Sequence, residues 1–118
     1  RDVQPPWLAL LAVIWGAPGA QAYASTKAAV CAMIRGLAVE YARFGVRANA
    51  VLPGWIRTEM TEPLQASEKF QQRAIGRVPM RRWGEPEDFA GIAVYLMSDA
   101  ARVHTGDSMV IAGAYSIY

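Results

Sequence analysis

The spacing of apolar positions along the chain predicts three helical stretches and two strands. From Gln21 to Arg43 the sequence is rich in Ala, and Val30, Ile34, Leu37, Ala38 and Tyr41 recur at intervals of three and four, the period of a helix face. Gly45 is placed to stop this helix. Val46 to Leu52 alternates small or apolar residues with Arg47 and Asn49 and is bounded by Gly45 and Pro53-Gly54, so it reads as a short strand. Glu62-Pro63 opens an amphipathic stretch through about Ile75, with Leu64, Phe70 and Ala74 as its apolar members, and Gly76 to Gly84 reads as loop. Glu85-Pro86-Glu87-Asp88 is a helix start: proline suits the first helical position, and the acids complement the positive end of the helix dipole. Phe89, Ile92, Ala93, Leu96 and Met97 form the expected buried stripe of that helix. After a loop through Thr105-Gly106-Asp107, the apolar Met109-Val110-Ile111 reads as a buried strand.

Helices alternating with strands imply an α/β fold. Two strands are too few for a complete doubly wound sheet, whose two halves each need βαβ units of about 30 residues or more. The expectation is a partial doubly wound, Rossmann-like parallel sheet with about half of the fold missing. No Gly-x-Gly-x-x-Gly cluster follows an early strand, so the phosphate cradle of a dinucleotide site has no counterpart here.

Composition narrows the function. The 118 residues are 53% hydrophobic and 19% charged, a globular balance. A formal net charge of +2 argues against nucleic acid or an anionic membrane as partner. One cysteine, Cys31, and one histidine, His104, argue against a disulfide scaffold and against a metal site. Cys31 reads as a packing residue, His104 as solvated, and Trp55 and Trp83 as packing rather than binding. Arg77, Arg81 and Arg82 read as a solvated or subunit-facing loop, with contact to a cofactor phosphate or an acidic substrate as the sharper alternative. The longest apolar run, Trp7 to Gly16, is shorter than a membrane span. It has the outline of a secretory signal, with Ala20-Gln21-Ala22 placed like a cleavage site, but cleavage there would fall directly before the chemistry described next. The chain opens on Arg1 rather than Met, which reads as a piece of a longer protein.

Tyr23 and Lys27 stand four apart on the first helix, hence on one face, one turn apart. A phenol titrates near 10, and an ammonium beside it favours the phenolate, which makes the pair a proton donor and acceptor near neutral pH. Alone, Tyr-x-x-x-Lys is a weak signal. It is followed in order by Arg35-Gly36-Leu37-Ala38-Val39-Glu40, Gly45-Val46-Arg47-Ala48-Asn49-Ala50-Val51-Leu52-Pro53-Gly54, Thr58-Glu59-Met60, Gly84-Glu85-Pro86-Glu87-Asp88 and Tyr95-Leu96-Met97-Ser98-Asp99. This series closely resembles the C-terminal half of the short-chain dehydrogenase/reductases, the group that includes 3-oxoacyl-carrier-protein reductases and gluconate-type dehydrogenases. The resemblance runs from about Gly16 to Tyr118.

The resemblance implies a cytoplasmic NAD(P)-dependent oxidoreductase that moves hydride between a nicotinamide and a small alcohol or ketone. Tyr23 matches the general acid/base, and Lys27 the lysine that lowers its pKa and binds the nicotinamide ribose. Pro53 and Gly54 match the turn that lets the nicotinamide lie against the backbone, with Ile56 and Thr58 as contacts to its carboxamide. Met60 to about Ile75 matches the variable, mobile segment that covers the substrate. The helices 21–43 and 85–98 match those that join subunits in family oligomers. Several features depart from the family. Its carbonyl-polarising serine, thirteen residues before the tyrosine, falls at Leu10; its upstream asparagine has no counterpart; and its Asp-Gly-Gly appears as Ala112-Gly113-Ala114, where weaker packing is expected. Ser25 lies on another side of the helix from Tyr23 and is no substitute for that serine. Residues 1–15 read as a divergent segment and 16–118 as the C-terminal part of the family domain, as in a truncated or frameshifted gene. Such a fragment exposes apolar faces and strand edges and is expected to be poorly soluble as a monomer. An incomplete chain that only associates with full-length subunits is the alternative. Neither the substrate nor the choice between NAD and NADP is written in these residues.

Overall fold

The computed structural model describes Gly19 and residues 21–117. The run Trp7–Gly16, the segment 1–15 and Leu10 lie outside the described residues. Helix α1 spans Gln21–Tyr41 and continues as a 3-10 turn over Ala42–Phe44. Gly45 ends it at φ 74°, its N–H closing on the Ala42 carbonyl, the left-handed stop that glycine adopts without a Cβ penalty.

The expected strand 46–52 is shorter and later than the alternation suggested: β1 is Ala50–Pro53. The residues before it spend their polar groups elsewhere. The Val46 N–H returns to Tyr41, the Ala48 carbonyl accepts from Gly106, and the Ala48 N–H donates to the Thr105 hydroxyl. The Arg47 guanidinium bonds the Leu96 and His104 carbonyls, and the Asn49 side chain bonds the His104 carbonyl and the Asp107 N–H. A segment bound to one loop in this way has no ladder to join.

Strand β2, Ser108–Ile111, lies parallel to β1 in the register Ala50↔Ser108 through Pro53↔Ile111. These two form the sheet among the described residues. Between them the expected helix 62–75 is broken into α2, Glu62–Gln65, and α3, Glu68–Arg73. Ser67 causes the break by capping α3, its hydroxyl accepting from the Phe70 N–H at 3.2 Å, one of the donors a helix start leaves unsatisfied. A 3-10 turn, Ile75–Arg77, follows. The Glu85-Pro86 start begins as a 3-10 turn over Pro86–Phe89 and becomes α4 at Ala90–Met97. The Asp88 carboxylate accepts from the Glu85 N–H at 2.8 Å and fixes this entry.

The core sits at the C-terminal end of the sheet. Trp55, Ala74, Ile75, Val78 and Trp83 are buried there, with Leu64, Phe70 and Tyr115 against them. Trp55 is the hub: its ring meets Phe70 edge-on at 4.7 Å, Tyr115 at 5.9 Å and Trp83 at 6.3 Å, separations at which aromatic pairs add to simple area burial. Both tryptophans therefore pack, as expected.

The buried stripe expected on α4 is not buried. No residue of α4 is enclosed, and Met97 is 79% exposed. On α1 only Ala38 is buried, against Gly106, while Val30, Met33 and Tyr41 face outward. Val110 of β2 is also largely exposed. The helical period was right, but among the described residues nothing covers these faces. Cys31 is half-buried on the same helix.

His104 is not solvated as expected. Its Nε2 donates to the Asp107 carboxylate at 2.8 Å, and its Nδ1 lies 3.1 Å from the Tyr95 hydroxyl. A carboxylate only accepts, so Nε2 carries a proton, and Nδ1 shares a hydrogen bond with the Tyr95 hydroxyl. With Arg47 and Asn49 on its carbonyl, His104 joins the end of α4 to the entries of both strands.

Candidate active site

The candidate residues fall into two groups. Tyr23 and Lys27 lie on successive turns near the start of α1, both half-buried, with the Lys27 Nζ 5.5 Å from the centroid of the Tyr23 ring. The adjacency expected from their spacing is present. The expected lowering of the phenol's pKa is not: partial burial pushes Tyr23 above its ordinary value. Desolvation disfavours the charged phenolate, and the ammonium lies toward the ring rather than in contact with the hydroxyl. In this state the phenol holds its proton at neutral pH, the form that donates.

The second group is the turn after β1. Pro53 is the last residue of the strand, and the Gly54 N–H continues the ladder to the Ile111 carbonyl at 3.0 Å. Gly54 is required by a close approach: a Cβ there would stand 2.7 Å from the Ala112 Cβ and 2.8 Å from its Cα. The chain then pairs a second time, in parallel, through the bridge Ile56↔Gly84. The Gly84 N–H donates to the Trp55 carbonyl at 2.7 Å, and the Arg57 N–H to the Gly84 carbonyl at 2.9 Å. A Cβ on Gly84 would press on the Ile56 Cδ1, the free end of a flexible side chain that can move aside. Arg57 pairs with Glu85 at 3.0 Å across the same junction.

Among the described residues no hydrogen bond or ring contact joins Tyr23 or Lys27 to Pro53, Gly54, Ile56 or Thr58. The structure brings each group together internally and leaves the two groups unconnected.

Sequence reasoning missed two features. Thr61 is 2% exposed, the one buried polar residue among those described. Its hydroxyl donates to the Ile56 carbonyl at 2.8 Å and accepts from the Thr58 N–H at 2.9 Å and from the Gln65 amide at 2.9 Å. The other is a cleft of about 230 Å³ beside Ile56, with Trp55, Trp83, Phe89 and Ile111 in its walls and Arg82 and Asp88 among its polar residues. The two charges form a two-pronged pair at 2.8 and 2.9 Å. That guanidinium, with the Glu85 N–H, holds the Asp88 carboxyl down at about 2. No single stretch of sequence carries the cleft, because its walls come from four separate places in the chain. The Glu85-Pro86-Glu87-Asp88 motif was the one signal that pointed toward it.

A parallel strand ending in a Pro-Gly turn belongs to an open α/β sheet, in which ligands bind beyond the carboxyl ends of the strands. A family model described as enoyl-(acyl carrier protein) reductase matches residues 8–116. The 2-dehydro-3-deoxy-D-gluconate 5-dehydrogenase of Pseudoalteromonas atlantica is 39% identical over 93 residues, 79% of this chain and 37% of that protein. The 3-oxoacyl-[acyl-carrier-protein] reductase of Thermotoga maritima is 41% identical over 104 residues, 88% of this chain and 42% of that one. The structure of a gluconate 5-dehydrogenase from Burkholderia cenocepacia, solved with NADP and tartrate, superposes with a TM-score of 0.77 at 31% identity, covering 81% of this chain and 38% of its own. The chain belongs to the short-chain dehydrogenase/reductase family. It spans well under half the length of the relatives it matches.

No helix among the described residues is long and apolar enough to cross a membrane.

Proposed function

We propose that these residues are the C-terminal catalytic part of an NAD(P)-dependent oxidoreductase that interconverts small alcohols and ketones. The observation that carries this is the Tyr23–Lys27 pair, with Lys27 Nζ 5.5 Å from the phenol ring, in a chain whose parallel strand ends in Pro53-Gly54. The nicotinamide end of a dinucleotide suits the residues present. The bridge to Gly84 uses the Trp55 carbonyl and the Arg57 N–H, which leaves the Ile56 N–H as a donor and the Thr58 hydroxyl as donor or acceptor for a carboxamide. The adenosine diphosphate end has no glycine-rich cradle among these 118 residues. The proposal for this chain is therefore limited to the nicotinamide half.

When bound, the nicotinamide supplies or takes the hydride. Tyr23 supplies the proton: its raised pKa keeps the phenol protonated at neutral pH, ready to donate to a carbonyl oxygen as it gains negative charge. Lys27 stabilises the phenolate left behind, since a nearby cation favours the charged form, and it bonds the nicotinamide ribose. Pro53 and Gly54 present flat backbone to the ring. Residues 60–75 cover the substrate, and the helices 21–43 and 85–98 join subunits, which would cover the apolar faces left exposed on α1 and α4.

Those exposed faces also favour a second reading, an incomplete chain whose role is to associate with full-length subunits. Titration with NADH and NADPH separates the two. Saturable binding, together with a loss of turnover of about 100-fold or more in Tyr23→Phe at unchanged cofactor affinity, supports the enzyme. No saturable binding of either cofactor, with co-purification of full-length subunits, supports the second reading.

A further inference from the structure

Residues 60–75 match the family's mobile cover, yet here they are bonded to the cofactor turn through one saturated hydroxyl. Thr61 Oγ1 has one proton and two lone pairs, and all three are used. The proton goes to the Ile56 carbonyl at 2.8 Å; the lone pairs accept from the Thr58 N–H at 2.9 Å and from Gln65 Nε2 at 2.9 Å. The second amide hydrogen of Gln65 goes to the Thr58 carbonyl at 3.1 Å, which leaves the hydroxyl proton free for Ile56. The connection continues: Gln71 Nε2 donates to the Gln65 carbonyl at 3.0 Å, and Gln71 Oε1 accepts from the Trp83 indole at 2.9 Å. Ile56 and Thr58 on one side, and α2 and α3 on the other, are thus held through one hydroxyl and two glutamine amides, with the Thr58 carbonyl, 3.0 Å from the same hydroxyl, as a second acceptor within the turn. A polar network centred on a buried hydroxyl in this way resists local change.

We infer that Thr61 and Gln65 are positioning residues that make the Ile56–Thr58 turn and the helical cover 59–73 a single unit, so that seating a nicotinamide carboxamide on the turn sets the wall above the substrate. The positioning role rests on the reading of Ile56 and Thr58 as nicotinamide contacts; the existence of the unit does not. Neither residue is among the proposed cofactor contacts.

The test uses Gln65→Leu, a half-buried position that tolerates an apolar side chain, with Thr61→Val and the conservative Thr61→Ser beside it. Two readouts are taken on the full chain: amide hydrogen exchange at Thr58, whose N–H ends on Thr61, and titration with NADH and NADPH, with kcat and KM where turnover is measurable. Gln65→Leu is expected to speed Thr58 exchange and to weaken cofactor binding, each about 3- to 10-fold, the net worth of one hydrogen bond. Cofactor KM should rise with little change in kcat, because Tyr23 is untouched. Thr61→Ser should restore both readouts to within about 2-fold, since it keeps the hydroxyl, while Thr61→Val should lose both. Unchanged Thr58 exchange in Gln65→Leu overturns the unit itself. Faster exchange with unchanged cofactor affinity overturns the positioning role and leaves a purely structural contact. A wild-type chain that binds neither NADH nor NADPH overturns the cofactor reading and the positioning role with it, while Thr58 exchange still decides whether the unit exists.

Discussion

Replacing Ala114 by glycine should stabilise this chain. Ala114 sits at φ 68°, in the left-handed region where the Cβ of an L-residue crowds the following carbonyl at a cost of about 1–2 kcal/mol. Its side chain is exposed, so removing the methyl loses no packing. Against this relief stands the greater freedom of glycine in the unfolded chain, worth about 0.4–1 kcal/mol. The difference favours Ala114→Gly by about 0.5–1 kcal/mol. With a urea slope of about 1–3 kcal/mol/M, the midpoint should rise by roughly 0.2–1 M at unchanged slope. The adjacent position supplies the contrast. Gly113 is also left-handed, at φ 59°, and a Cβ there would lie 2.9 Å from the Val78 Cγ1. Gly113→Ala combines backbone strain with overpacking and should cost about 2 kcal/mol or more. Urea unfolding of the three chains, followed by tryptophan fluorescence, measures both, since Trp55 and Trp83 are in the core beside this turn. A midpoint for Ala114→Gly equal to or below wild type would refute the strain argument, because no lost contact is available to offset the relief.

Gly54→Ala should cost about 1–3 kcal/mol, because the new methyl meets the Cα of Ala112 at 2.8 Å and not merely its side chain; equal stability of Gly54→Ala and wild type in urea would sink the claim. The Asp88 carboxyl, held near 2 by Arg82 and the Glu85 N–H, is an acid whose folded pKa is depressed. It contributes stability above its unfolded pKa of about 4, and that contribution is lost as pH falls from about 4 toward 2; Asp88→Asn should flatten this part of the acid limb, and identical limbs for the two chains would count against the pair. Met97→Ser at a 79% exposed position should change the stability of the isolated chain by less than about 0.5 kcal/mol, whereas Ile75→Ala in the core should cost about 2–5 kcal/mol; comparable losses from both would mean that α4 is covered after all.

What was legible in the sequence was whatever a single stretch of chain decides. Gly45 stops α1 because a left-handed residue is a local requirement, and Pro86 opens the turn into α4 because its missing N–H is not needed there. Tyr23 and Lys27 meet because helix geometry alone brings residues four apart together. The early end of alternation at Arg47 and Asn49 was not legible. In a strand those two side chains would stand on one face of the sheet; here both are spent on the carbonyl of His104, more than fifty residues away in sequence. Ser67 was a visible cap signal inside a stretch that the apolar period had already assigned to one helix.

Burial and the site's wiring depend on what lies opposite, and periodicity is silent about that. Met97 marks a face that something would cover, but the pattern reads the same whether the cover is the rest of a sheet, another subunit or water; among the described residues it is solvent. The same reasoning explains why Gly54 could be assigned to a turn from Pro53-Gly54 while its partner could not. Only the register Pro53↔Ile111 brings Ala112 to 2.7 Å from where a Cβ would stand. Thr61 is the extreme case. Threonine three residues after threonine in a polar segment reads as solvated loop, and its burial goes with hydroxyl bonds to Ile56, Thr58 and Gln65 that no local pattern announces. The residues a family motif names in this turn, Ile56 and Thr58, are therefore held by residues the motif does not name. A substitution at Thr61 or Gln65 should reach the turn without altering a single motif position.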